Sequence, residues 1–147
     1  MKTGVCMEKS GIELDIKVPN QTRYLSLIGR IGEDIAREVD RYSGDRETLA
    51  YQINLVLTEA MTNAIKYGNP HNRDETVHIL INISDNQLFI RIYDYGQGFD
   101  INEIPLPDFE GLEDRGRGIF LIKALMDSVQ YRKEGDGNIL EMIKQLH

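Results

Sequence analysis

A chain of 147 residues, 41% apolar and 28% charged, has the size and composition of one globular domain able to bury its own core. Its formal net charge of -7 repels phosphate backbones and argues against direct nucleic-acid binding. A lone cysteine, Cys6, excludes an internal disulfide, and no apolar run approaches the roughly 18 residues of a membrane span.

Residues 1–11 mix Lys2, Glu8 and Lys9 with small residues and lack a signal-peptide core, so they read as a flexible segment and the address as cytoplasmic. A single domain is expected over 12–147. Ile12, Leu14, Ile16 and Val18 alternate with polar residues, as in a half-buried strand that Pro19 ends. Asn20 or Thr22 can cap the helix after it. Tyr24, Ile28, Ile31, Ile35, Val39 and Tyr42 then form one apolar stripe of a long helix. Asp45 is placed to cap a second helix, whose buried side is Leu49, Ile53, Val56, Ala60, Ala64 and Tyr67 and whose end is Gly68. Val77 to Ile83 and Leu88 to Ile92 alternate on either side of Asp85-Asn86, which predicts an antiparallel hairpin.

From Asp94 to Gly118 periodicity disappears. The stretch is Gly-rich, holds Pro105 and Pro107, and is too long for an idle connection. Ile119 to Met126 restore helical spacing, and two strands lie on either side of Gly135-Asp136-Gly137. Strand, two helices, two strands, loop, helix and two strands predict an α+β two-layer sandwich. Its mostly antiparallel, mixed sheet is covered on one face by helices.

Three constellations carry chemistry. Glu59 and Asn63 are four apart and share a face of the second helix, with Lys66 near the same edge; polar residues so spaced also occur on any solvated face. Asp94 falls in phase with Leu88, Ile90 and Ile92, where a carboxylate is costly without a partner. It is followed by Tyr95-Gly96-Gln97-Gly98-Phe99, whose glycines let backbone approach a flat ligand. An aspartate capping a local turn is the plainer alternative. Arg115-Gly116-Arg117-Gly118 runs into the helix beginning near Ile119, where free amides and the helix dipole suit a phosphate.

Glu59-x-x-x-Asn63, Asp94-x-Gly96-x-Gly98-Phe99 and Gly116-x-Gly118 together resemble the N, G1 and G2 boxes of GHKL (Bergerat-fold) ATPases, in order and spacing. The short distance from Asp94 to Gly116, and Leu125-Met126-Asp127 beyond it, are similar to the bacterial anti-sigma-factor serine/threonine kinases. The resemblance implies ATP and Mg2+ as cofactors, with a lid at about 100–115. Asp94 would read the adenine amine, Asn63 hold Mg2+ through an oxygen, and Glu59 orient or deprotonate the attacking hydroxyl. Lys66, Gly96, Gly98, Phe99, Arg115, Gly116, Arg117, Gly118, Ile119 and Asn138 would contact the nucleotide. Asn138 departs from the pattern, since the family carries threonine after the glycine at 137.

By the same resemblance the partners are a sigma factor and a STAS-type antagonist, the latter phosphorylated, and the chain forms a homodimer. Two rival functions fit the residues. One is a detached histidine-kinase-like domain, for which His71, His78 and His147 are unsuitable acceptors, so that its target is another chain. The other is a protein-binding module gated by nucleotide without turnover.

Overall fold

The computed structural model describes residues 11–40, 42–66, 75–84, 86–96, 98 and 117–146. The expected flexible segment before residue 11, the helix stop at Tyr67-Gly68, His71 and the lid at 100–115 lie outside them.

Strand β1 (Ile12–Pro19) places Ile12, Leu14 and Ile16 half-buried and Val18 buried, as its alternation requires. After it, Gln21 opens a 3-10 turn (Thr22–Tyr24) without a side-chain cap. The expected caps therefore do not form: Asn20 instead ties this corner to the residue before the second strand, its N–H donating to Glu75 O at 3.0 Å. Helix α1 (Leu25–Arg37) stops short of the stripe expected from sequence. Val39, beyond its end, is still 3% exposed. Periodicity registers burial, and burial continues here where the α-helical bonds have given way to i→i−3 bonds from Glu38 N to Ile35 O and from Val39 N to Ala36 O.

Helix α2 (Arg46–Lys66) starts where Asp45 accepts from Thr48 N at 3.0 Å and from Thr48 Oγ1 at 2.8 Å. Those bonds answer orphan donors of the first turn and hold the Asp45 carboxyl below the ordinary carboxylate range. Ala50, Leu57 and Met61 are buried in addition to the expected residues, because α2 is covered both by α1 and by the sheet. Strands β2 (Thr76–Ile83) and β3 (Gln87–Asp94) form the hairpin, with every second residue buried. Helix α3 (Arg117–Leu125), β4 (Ser128–Glu134) and β5 (Gly137–Gln145) complete the chain.

The sheet runs β1-β2-β3-β5-β4 and all four pairings are antiparallel, so the parallel component expected of a mixed sheet is not found among the described residues. Ile79, Ile81, Ile90, Ile92 and Met142 line its inner face, packed with Ile28, Leu49, Ile53, Leu57 and Ile122 of the helices. The outer face is polar where strands meet: Glu141 joins Arg91 (Nη2 to Oε2, 2.7 Å) and Arg132 across β3, β5 and β4. The outer face mixes these ion pairs with Leu80, Phe89, Ile139 and Ile143, whereas the inner one carries the main core, and the helices pack there.

Candidate functional site

Among the described residues only three polar or charged side chains are buried: Glu75 (7% exposed), Asp94 (6%) and Asn138 (1%). They gather at one end of the inner face, because Asp94 pairs with Asn138 across β3–β5 and Glu75 leads into β2 beside them. The other buried residues of that face are apolar, so its buried part changes chemistry at this edge.

Asp94 is the centre of the group. Its Oδ1 accepts from Gly96 N at 2.9 Å and from Asn138 Nδ2 at 3.0 Å. The first bond is the local turn that the residue types allowed; the second is tertiary. Burial pushes the carboxyl above its ordinary pKa, the bonds from Asn138 and Gly96 pull it back, and the charge of Glu75 adds to the rise. Asn138 Nδ2 also donates to Gly96 O at 2.7 Å. Gly98 has φ +78, and a Cβ built on it would stand 2.5 Å from Asn138 Oδ1 and 2.8 Å from the Tyr131 hydroxyl oxygen. Only glycine fits that position.

The second half of the site lies between α2 and α3. Glu59 and Asn63 are half-buried on the flank of α2 that continues the buried arc. A Cβ on Gly118 would stand 2.6 Å from Glu59 Oε2 and 3.5 Å from Asn63 Nδ2. The bare backbone at the start of α3 is thus pressed against both side chains that the sequence singles out on α2. Asn63 Nδ2 is buried and has no hydrogen-bond partner, a costly state that a ligand would relieve. Lys66 is exposed at the end of α2. Ile119 is 3% exposed and belongs to the core, so only its backbone can face a ligand. Phe99, Arg115 and Gly116 lie outside the described residues, and Arg117 is placed only as the first residue of α3.

Two residues of the site are not among those the sequence pattern singles out. Glu75 stands in phase with Val77 and Ile79, the same signal that exposes Asp94, but it closes a polar run and reads there as loop. Tyr131 alternates with Val129 as an ordinary strand residue does; its hydroxyl reaches Gly98 only because β4 and β5 are paired.

A five-stranded antiparallel sheet with helices on one face, carrying a polar end and a helix start pressed on Glu59 and Asn63, defines an α+β sandwich of the GHKL type. The family model described as histidine kinase-like ATPase domain matches residues 18–144, and the chain belongs to that family. Among curated proteins it is 28% identical over 149 residues to the serine-protein kinase RsbW of Staphylococcus epidermidis, covering 95% of this chain and 91% of the relative. It is 33% identical over 100 residues to the anti-sigma F factor of Anoxybacillus flavithermus, covering 65% and 68%. Among solved structures, the histidine kinase domain of the Erythrobacter litoralis blue-light activated histidine kinase superposes with a TM-score of 0.54 at 20% identity. That match takes in 88% of this chain and 62% of the other, and it shows the shared fold.

The contact at Gly118 makes a prediction of its own. Gly118→Ala is expected to leave the thermal midpoint near that of the wild type, since Gly118 is the second residue of α3 and gains less there than the about 0.8–1.0 kcal/mol by which alanine exceeds glycine in a helix interior. The added methyl must displace the Glu59 carboxylate, so any activity that uses Glu59 falls while the fold holds. Thermal melts and activity measured on the same preparation check both expectations.

Proposed function

We propose that this chain is an ATP-dependent serine/threonine protein kinase that acts as an anti-sigma, partner-switching regulator and phosphorylates a STAS-type antagonist. The observation that carries this reading is the seating of Gly118, at the start of α3, against Glu59 and Asn63. It brings a phosphate-binding helix terminus to a carboxylate suited to act as base and to an amide in want of a partner. The kinase and anti-sigma names of the two relatives support it, as does membership of the ATPase family.

In this reading Asp94 receives the adenine amine on Oδ2, the oxygen that Asn138 and Gly96 leave to other donors. The amides of 116–118, with Lys66, Arg115 and Arg117, meet the phosphates under a lid at about 100–115, and Phe99 and Gly96–Gly98 border the base. Glu59 orients the serine hydroxyl and takes its proton as the new P–O bond forms and the bond to the ADP oxygen breaks. Phosphoryl transfer asks for positioning and charge neutralisation above all. Asn63 would offer its side-chain oxygen to a Mg2+ ion held otherwise by phosphates and water, its unpartnered Nδ2 being left for an acceptor on the ligand. Bound there, Mg2+ would neutralise phosphate charge. The partners are a sigma factor and the antagonist, the chain acts as a homodimer, and its address is cytoplasmic; no described helix is long and apolar enough to cross a membrane.

The test uses γ-labelled ATP, the full chain and the proteins that co-purify with it from its native host. Acid-stable label on a small partner is expected. Acid-labile label would mean a histidine kinase, and ATP-dependent co-purification without any label would mean a binding module.

A further inference from the structure

Asn138, where the family pattern has threonine, does more than fill a gap. Both hydrogens of its amide nitrogen have acceptors within the protein, Asp94 Oδ1 at 3.0 Å and Gly96 O at 2.7 Å. A primary amide has two N–H donors and no more, so none remains for a ligand. At 1% exposure the side chain is sealed behind the turn, with its oxygen on the side of Gly98.

We propose that Asn138 is a positioning residue for purine recognition: it sets the plane of the Asp94 carboxylate and closes the turn from Asp94 to Gly96, and acts on the base through Asp94 alone. The inference rests on Asp94 as the adenine-reading residue. The terminal torsion of an aspartate is broad. Two donors converging on Oδ1, one from Gly96 N and one from Asn138, hold it in one orientation and so aim Oδ2. The same amide nitrogen grips Gly96 O, so carboxylate and turn move as one body. Threonine has a single hydroxyl donor and can serve only one of those acceptors. A carboxylate held in advance loses less freedom when the base arrives. It also discriminates: an exocyclic amine meets an acceptor, whereas the carbonyl of guanine at the same place meets a like charge.

The environment of Asp94 defines a readout that a merely structural residue would not move. Burial and the Glu75 carboxylate raise its pKa, while Asn138 and Gly96 lower it. The neighbouring groups Tyr93 and Tyr95 in the chain and Tyr131 from β4 are phenols. Loss of the Asn138 donor therefore leaves Asp94 protonated to higher pH.

ATP and GTP affinities of the wild type, Asn138→Leu, Asn138→Ser and Asp94→Asn are compared by calorimetry across a pH series. Asn138→Leu is expected to lose about tenfold in ATP affinity with little change for GTP. Its ATP affinity should also begin to fall at a higher pH on acidification. Asn138→Ser, smaller and still polar, should move both quantities in the same direction, and it decides the matter should the leucine variant fail to fold. An unchanged ATP-to-GTP ratio with an unmoved pH profile overturns the proposal, as does an equal loss for both nucleotides. The Asp94→Asn arm separates the two levels. Wild-type ATP affinity in that variant removes the reading of Asp94 itself, while weakened affinity there beside unaffected Asn138 variants removes only the positioning role.

Discussion

Asp94→Asn is expected to weaken ATP binding by about 10- to 150-fold, the equivalent of roughly 1.5–3 kcal/mol for a hydrogen bond to a charged group, while leaving the apo protein at least as stable. The two expectations have one cause. An asparagine oxygen can still accept from Gly96 N and Asn138 Nδ2, so both native bonds survive. What disappears is a buried negative charge, and what replaces Oδ2 is a donor facing the donor of adenine. The folded-state pKa of Asp94 lies above its ordinary value. A raised acid stabilises the fold fully below the unfolded pKa and loses that contribution as pH rises through the folded one. At neutral pH the wild type therefore carries the cost of ionising Asp94, and the asparagine variant does not. Its thermal midpoint should equal or exceed that of wild type at neutral pH, with the difference closing on acidification. Wild-type ATP affinity, which needs the ionised form, should decline at a pH above that at which an ordinary aspartate titrates. Calorimetry and melting curves over one pH series measure all of this. Unchanged ATP affinity in the variant would end the adenine assignment.

Glu59→Gln should leave ATP affinity near wild type and reduce phosphoryl transfer by about 10²–10⁴-fold, the usual contribution of a positioned general base. Glutamine keeps the length that reaches Gly118 and removes the basicity, so the variant isolates proton transfer from packing. Single-turnover measurement of labelled phosphate on the partner, set beside nucleotide binding on the same sample, gives the comparison. Full transfer would take Glu59 out of the mechanism. Loss of binding together with transfer would instead make it a ligand-holding residue.

These two residues also show how far the sequence is informative. Asp94 is legible because a strand has a period of two and the aspartate continues the apolar phase of Leu88, Ile90 and Ile92; it is indeed buried. Glu59 and Asn63 are legible as a pair because four residues is nearly one helical turn. Their meeting with Gly118 is not, since nothing in a local pattern states that α3 returns to α2 after an aperiodic stretch. Glu75 carries the same alternating signal as Asp94 but sits at the edge of a polar run, where one in-phase carboxylate has no apolar residues on both sides. The early end of α1 and the unused caps at Asn20 and Thr22 have a similar origin. Val39 and Asn20 are claimed by tertiary partners, and a tertiary bond or a buried surface outweighs a cap worth about 1 kcal/mol.

Alternation, helical spacing and three motifs by themselves determined the kind of elements, their order and the sandwich, and pointed to Glu59, Asn63, Asp94 and Gly118 as candidates for chemistry, because each is a property of near neighbours along the chain. Only the tertiary structure decided which oxygen of Asp94 is engaged, that Asn138 joins it to Gly96, and that Glu59 and Asn63 face the start of α3. Those facts depend on side chains from 44 and 42 positions away meeting across a sheet, and on the direction in which a buried amide finds its acceptors. Close packing settles such directions, and a one-dimensional pattern does not contain them.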